Sequence, residues 1–233
     1  FLIMKRTQKL SWLFAFVLFF GSSTQTFSQT LQELFSNTST PLTYLGIDYT
    51  RNKLINNPEG NASDIQSRLY NSMNDVVVME MGKNYNIAGA FSRSGGVSSD
   101  INAVTERNAR IKAGDIMSSN VADFNRLTES DIAGCVKALD LKAKDGIGLV
   151  FIMEAMKKGE KIQEGKKTKQ EESYGSVWVT LIDMKTKKVL MTERMEQEAA
   201  GFGFRNFWVS IIKKSLVEID KKAYKGWKNK YGG

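Results

Sequence analysis

The chain reads as an α/β (or α+β) domain: a layered sheet with a C-terminal β-hairpin and a long C-terminal amphipathic helix packed on it. Three observations predict this. Residues 147–156 form an apolar run of strand length, residues 176–196 alternate apolar and polar side chains around a Lys-Thr-Lys-Lys turn, and residues 204–219 repeat large apolar side chains at helical spacing. A buried strand, a hairpin and an amphipathic helix can cover their apolar faces only by stacking in layers.

The first 29 residues have the three zones of a secretory signal peptide. Lys5, Arg6 and Lys9 supply the positive start, residues 10–20 are almost wholly apolar, and small or polar residues follow to Gln29. That run suits a cleavable signal and is short for a membrane span, so cleavage is expected near Ser28 or Gln29. Residues 1–3, ahead of Met4, read as a gene-start artefact. No cysteine stands near the cleavage region to carry a lipid, and the single Cys135 has no partner for an intramolecular disulfide. The expected organisation is a signal at 1–29, a flexible lead-in at 30–41 and one α/β domain at 42–233.

Within that domain, the alternation of Leu42, Tyr44, Leu45, Ile47 and Tyr49 predicts a strand over residues 42–50. Asn56, Asn57, Pro58 and Gly60 mark 51–60 as a loop. Asn61 or Ser63 can cap a helix that carries Ile65, Leu69, Met73, Val76 and Val77 and ends near residues 80–82. Residues 83–127 give no consistent period. Thr128 or Ser130 can cap a further helix over Ile132, Val136, Leu139 and Leu141, closed at Asp145-Gly146. The central buried strand follows at 147–156, then a lysine- and glutamate-rich stretch read as a solvated loop. The hairpin runs out over 176–184 and back over 189–196. In the last helix Phe204, Phe207, Trp208, Ile211, Ile212, Leu216 and Ile219 share one stripe. Trp208 is therefore expected to clamp the fold, whereas Trp227, in the basic tail, is expected to matter little for stability.

The whole chain has 33 Lys+Arg against 25 Asp+Glu, a formal charge of +8 that falls to about +5 once Lys5, Arg6 and Lys9 leave with the signal. Much of the excess lies at Lys157–Lys169 and in the tail lysines 221, 222, 225, 228 and 230. The glutamates interleaved in the first run argue against nucleic-acid binding; the tail admits weak contact with anionic surfaces. Its interleaved Tyr224, Trp227 and Tyr231 either face lipid or glycan or pack back onto the domain.

The chain contains no histidine, which excludes Ser-His-Asp and Cys-His catalysis and His-based zinc sites. No metal or cofactor is expected, and no catalytic residue is assigned. Cys135, between Gly134 and Val136, reads as a buried structural thiol. Two constellations remain. Gly201, Gly203, Arg205 and Asn206 join a strand to a helix start, where free N–H groups and Arg205 could hold an anion; the structural alternative is a tight turn that drops Phe202 and Phe204 into the core. Asp48 and Glu154 are acids on core strands, and buried acids need a reason.

The blocks Tyr44-Leu45-Gly46-Ile47-Asp48-Tyr49, Asp145-Gly146-Ile147-Gly148-Leu149-Val150-Phe151-Ile152 and Gly201-Phe202-Gly203-Phe204-Arg205-Asn206-Phe207-Trp208, with the hairpin, resemble an uncharacterised family of exported Bacteroidetes proteins. The resemblance implies a cell-envelope address and no activity. More loosely, the order of elements looks like the α/β domain of curli-export and penicillin-binding-protein-activator type envelope proteins, without their lipid-anchoring cysteine. The expectation is a periplasmic or extracellular, non-catalytic binding or assembly module whose partner is another envelope component, with no transmembrane segment after cleavage. The alternative is a carboxylate-dependent hydrolase of envelope glycan using Asp48 and Glu154.

Overall fold

The computed structural model describes residues 25–233 apart from 59, 165 and 166. The charged and apolar zones of the proposed signal lie outside these residues. The segment read as a lead-in is largely helical: α1 (Gln25–Ser36) buries Leu31, Leu34 and Phe35, which recur at spacings of three and one and so form one apolar edge. Beyond its end, the buried Arg93 donates to the carbonyl oxygens of Asn37 (3.0 Å) and Thr40 (3.2 Å), which fixes the chain as it enters the sheet.

β1 (Leu42–Asp48) follows, two residues shorter than the alternation suggested. Part of the expected 51–60 loop is a second strand, β2 (Lys53–Ile55), whose backbone is held by the central strand rather than by any period of its own. Asn61 caps the next helix by accepting from Asp64 N at 3.1 Å. This helix, α2, runs over residues 62–79, and its turn Ile65–Leu69 is a π-turn closed by Tyr70 N on Ile65 O. The unassigned middle of the chain holds α3 (Ile87–Ala90), β3 (Ser98–Ser99), α4 (Asn102–Asn108) and β4 (Met117–Ser118). Thr128 and Asp131 form a capping box on α5 (Glu129–Lys137). That helix stops at Ala138, before the expected Asp145-Gly146; Leu139 and Leu141 are buried on the loop that leaves it.

β5 (Ile147–Lys157) is the central strand. The lysine-rich stretch read as a loop forms a small separate hairpin, β6 (Lys161–Glu164) with β7 (Lys167–Gln170). The main hairpin is β8 (Tyr174–Asp183) with β9 (Lys188–Glu198). The chain ends in a helix, α6, over residues 204–231, interrupted by a π-turn at Ile219–Ala223.

β8 pairs antiparallel with β5 along its whole length, so β5 has one edge left. β1 and then β2 share that edge end to end, both parallel to β5, and β3 and β4 extend them outward. Helices cover both faces. Ile47, Leu149, Phe151, Val177 and Val179 pack under α1, α2 and α6, whereas Leu45, Val150, Ile152, Trp178 and Ile182 pack under α4 and α5. The helix α6 lies so close to the sheet that a Cβ at Gly175 would collide with Ile211. This is the α/β layered sheet with terminal hairpin and helix that the sequence predicts.

The π-turn decides what the end of α6 does. A straight α-helix would follow buried Ile219 with Lys222 or Ala223 on the inner face. One extra residue in the turn, closed by Tyr224 N on Ile219 O, brings Tyr224, Trp227 and Tyr231 inward instead. Phe35 of α1 meets all three rings, with centroids 5.5, 6.5 and 5.9 Å away. Trp227 is buried, stacks on Phe91 and donates to Glu193 Oε2 at 2.5 Å. It is a core residue, contrary to its position in a basic tail.

Candidate functional site

Asp48 and Glu154 occupy the same face of the sheet, on adjacent strands, beneath the α4 and α5 layer. Both are fully buried. Asp48 Oδ1 accepts from the Thr50 amide (2.8 Å) and hydroxyl (2.6 Å), and Oδ2 meets Arg107 Nε at 3.3 Å in an ion pair off the line of a hydrogen bond. Arg107 also donates to Thr50 Oγ1 and to the Cys135 carbonyl oxygen. Glu154 Oε1 accepts from the amides of Arg126 (2.7 Å) and Leu127 (2.6 Å), while Oε2 accepts from Arg194 Nε at 2.6 Å. Arg194 reaches on to the Phe124 carbonyl oxygen at 2.7 Å. Each acid is thus neutralised by its own arginine and ties an irregular segment to the sheet. A glycosidase needs two carboxyl groups open to one sugar, and neither of these reaches solvent.

Cys135 is buried in α5, and burial, followed by the nearby Asp48 charge, pushes its thiol up to about 11. It is a thiol at neutral pH. Among the described residues no group of three or more Cys, Asp or Glu is arranged to hold a metal ion.

The open surface lies elsewhere, where β2 and β5 end, β8 begins and β9 leads into α6. Carboxyl ends of parallel strands leave a crevice because the connections must turn away there. Here one cleft of about 350 Å³ is lined by Asn57, Lys158, Gly201, Gly203, Phe207 and Trp208. A second, of about 400 Å³, is lined by Asp64, Arg68, Ser72, Phe202, Arg205 and Asn206, and Phe204 walls both. A third, of about 260 Å³, continues along Pro58, Lys158, Glu160 and Lys161. The four residues singled out in the glycine turn are therefore distributed over two clefts: Gly201 in the first, Arg205 and Asn206 in the second, Gly203 in both.

Both glycines have positive φ, +131° at Gly201 and +75° at Gly203, and Gly203 caps α6. The turn they make points Phe202 out of the protein, where it is 94% exposed. This corrects the reading that Phe202 drops into the core; Phe204 is half-buried against Trp208, and the fully buried stripe starts only at Trp208. Arg205 is exposed and donates to Asn206 Oδ1 at 3.0 Å. Lys158, read before only as part of a charged run, stands 4.2 Å from the centroid of the Phe207 ring. Tyr174 and Ile162, also exposed, belong to the strands that frame this end. What these groups can do together is hold a partner by an apolar anchor flanked by cations.

No family model matches the chain, and no curated protein is similar to it. Among solved structures it is similar to a Helicobacter pylori protein described as a neuraminyllactose-binding hemagglutinin homologue, at 11% identity and a TM-score of 0.35, over 82% of this chain and 89% of that one. Likeness at that level carries over neither fold nor function. Among the described residues no helix is long and apolar enough to cross a membrane.

Proposed function

We infer that the protein is an exported cell-envelope component that binds or assembles with another envelope component and performs no chemistry of its own. The observation that carries the binding part is Phe202: an aromatic side chain, 94% exposed between two glycines of positive φ, on the rim of a cleft with Arg205 beside it. Such a side chain contributes nothing to the core, and burying it later is how aromatic anchors stabilise interfaces. The charged and apolar zones of residues 1–29, and the resemblance to exported Bacteroidetes proteins, support a periplasmic or extracellular address.

Photo-crosslinking in the native host tests the binding surface. A crosslinker at position 202 is expected to trap one envelope component repeatedly, while one at Met79, also exposed at 77% but on α2, is not. Equal yields from both positions would remove Phe202 from the argument. Mass spectrometry of the purified protein tests export separately: a start near residue 29 or 30 supports it, and an intact start at Met4 overturns it.

A further inference from the structure

β9 is the last strand of the sheet and pairs with β8 alone. The strands that end the sheet on its other side, β3 and β4, have two residues each, too few to recruit a neighbour. β9 is long and continuous by comparison. Leu190 is bulged out where the register shifts between Leu181 and Ile182, but every residue from Met191 to Glu198 stands opposite its own partner in β8. Ala199 extends that ladder, its amide donating to the Ser173 carbonyl oxygen at 2.7 Å.

This last bond fixes which way the backbone of β9 faces. Opposed residues in an antiparallel pair alternate between exchanging both hydrogen bonds and exchanging none. Because Ala199 bonds to β8, so do Gln197, Met195, Glu193 and Met191, and the N–H and C=O groups of Thr192, Arg194, Glu196 and Glu198 point outward. Among the described residues nothing hydrogen-bonds to those outward groups. The charged side chains that could guard such an edge are turned over the faces of the sheet instead. Arg194 reaches Glu154 and the Phe124 carbonyl oxygen, and Glu193 accepts from the Trp227 indole.

A second β9, laid antiparallel about a two-fold axis, satisfies all four of these residues in one register only, with Met195 opposite Met195. Thr192 then faces Glu198, Arg194 faces Glu196 and Glu193 faces Gln197, so no like charges meet directly. Moving the axis by one residue sets Arg194 against Arg194 or Glu196 against Glu196, and it leaves outward groups unpaired. The strand is therefore complementary to itself both in its backbone and in its charges. We propose that the protein forms a two-fold dimer by joining β9 to β9 of a second copy, centred on Met195. The junction makes about eight hydrogen bonds and runs one sheet through both copies. It depends neither on the envelope address nor on the Phe202 contact.

Sedimentation equilibrium over a concentration series reads the dimer, and amide hydrogen exchange at low and high concentration reads where it forms. The amides of Thr192, Arg194, Glu196 and Glu198 are expected to become protected as dimer accumulates. A protein that stays monomeric at every concentration, or a dimer in which these amides exchange as fast as in the monomer, overturns the proposal. So does protection that appears only when an envelope extract is added, since the edge would then receive a strand from a different protein. Glu196→Gln and Gln197→Lys test the register, because each adds one positive charge. The first removes the pairing with Arg194 twice per dimer and should weaken association; the second sets a lysine against Glu193 twice and should strengthen it, each on the order of 5-fold. Shifts in the same direction would make overall charge the cause and would sink the proposal. Met195→Cys should crosslink to its own copy under oxidised glutathione, since unbonded opposed residues stand about 4.5 Å apart at Cα, whereas Gln197→Cys should not. Far-UV circular dichroism shows whether each variant keeps the fold, and hydrogen exchange of the unaltered protein decides the matter even if one does not.

Discussion

Asn74 of α2 and Asn108 of α4 both donate to the Ile47 carbonyl oxygen, at 3.1 and 2.8 Å, from two different helices. Their side-chain oxygens accept in return, Asn74 from the Ile47 amide at 2.7 Å and Asn108 from the Tyr49 amide at 2.8 Å. β3 pairs with β1 only at Thr43 and Tyr44, and the β1 register slips between Tyr44 and Gly46. Beyond that slip the outer edge of β1 has no neighbouring strand among the described residues. Two fully buried asparagines take the place of one.

Removing either asparagine should therefore cost more than its size suggests. Asn74→Ala and Asn108→Ala each strand buried backbone groups, at a cost of about 1–3 kcal/mol per unsatisfied group. Gly46→Ala should be harmful for two reasons: its φ is +104°, and a Cβ there would stand 2.9 Å from Asn74 Oδ1. Urea titration of the three variants checks this, and midpoints equal to the parent's would mean that water can replace the asparagines.

The parts of this fold legible in the sequence are those that repeat. β5, the β8–β9 hairpin and the start of α6 show continuous apolar character or a clear period, because each buries a whole face. β2, β3 and β4, with three, two and two residues, are too short for any period and exist as strands only because a neighbour pairs with them. In α1 the signal was present in Leu31, Leu34 and Phe35 but stood next to the signal-like segment. The inward turn of Trp227 depends on one extra residue in a π-turn, which no periodicity displays. Asp48 and Glu154 were legible as acids that needed a reason; the reasons, Arg107 and Arg194, lie 59 and 40 positions away. Phe202 was misplaced because its direction depends on the φ angles of two glycines.

Trp208→Ala and Trp227→Ala are both expected to destabilise the protein by about 3–5 kcal/mol, since each empties a packed aromatic site. Phe202→Ala should stay within about 0.5 kcal/mol of the parent because it touches no core. Denaturant midpoints for the three variants separate core from surface. A neutral Trp227→Ala would contradict the inward turn of the terminal helix.

Cys135 should react slowly with a polar thiol reagent in the native state. With its thiol pushed up to about 11 by burial and then by Asp48, only about 0.1% is thiolate at pH 8. Rapid labelling is expected only after denaturation. Labelling at pH 8 with and without denaturant checks both access and ionisation.

Asp131 should make stability fall in acid. Hydrogen bonds from the Thr128 amide and hydroxyl, aided by Arg51 and Arg126, hold its carboxyl below the usual 3.8. A lowered folded pKa stabilises above the unfolded value and loses that contribution as pH falls through the folded one. The window therefore opens near pH 4 and extends downward. Asp131→Asn should flatten the slope of stability against pH there and leave it unchanged near pH 7 to 8, as urea midpoints across the range would show.

Glu154 and Arg194 provide the sharpest test of how the two buried acids are used. With Glu154 fully buried and Arg194 only slightly exposed, the pair stands in a low-dielectric layer where a lone charge is costly. Arg194→Met leaves the carboxylate without its cation and should cost about 3–5 kcal/mol. Glu154→Gln removes the charge but keeps an oxygen that can accept from the Arg126 and Leu127 amides, so its loss should be smaller. Combining the two removes both charges together, and the double variant should be more stable than the sum of the single losses implies. A double-mutant cycle in urea reads that coupling. If the two losses simply added, Glu154 would be solvated and independent of Arg194. An acid free to exchange protons with a ligand would then have to be considered again at this position.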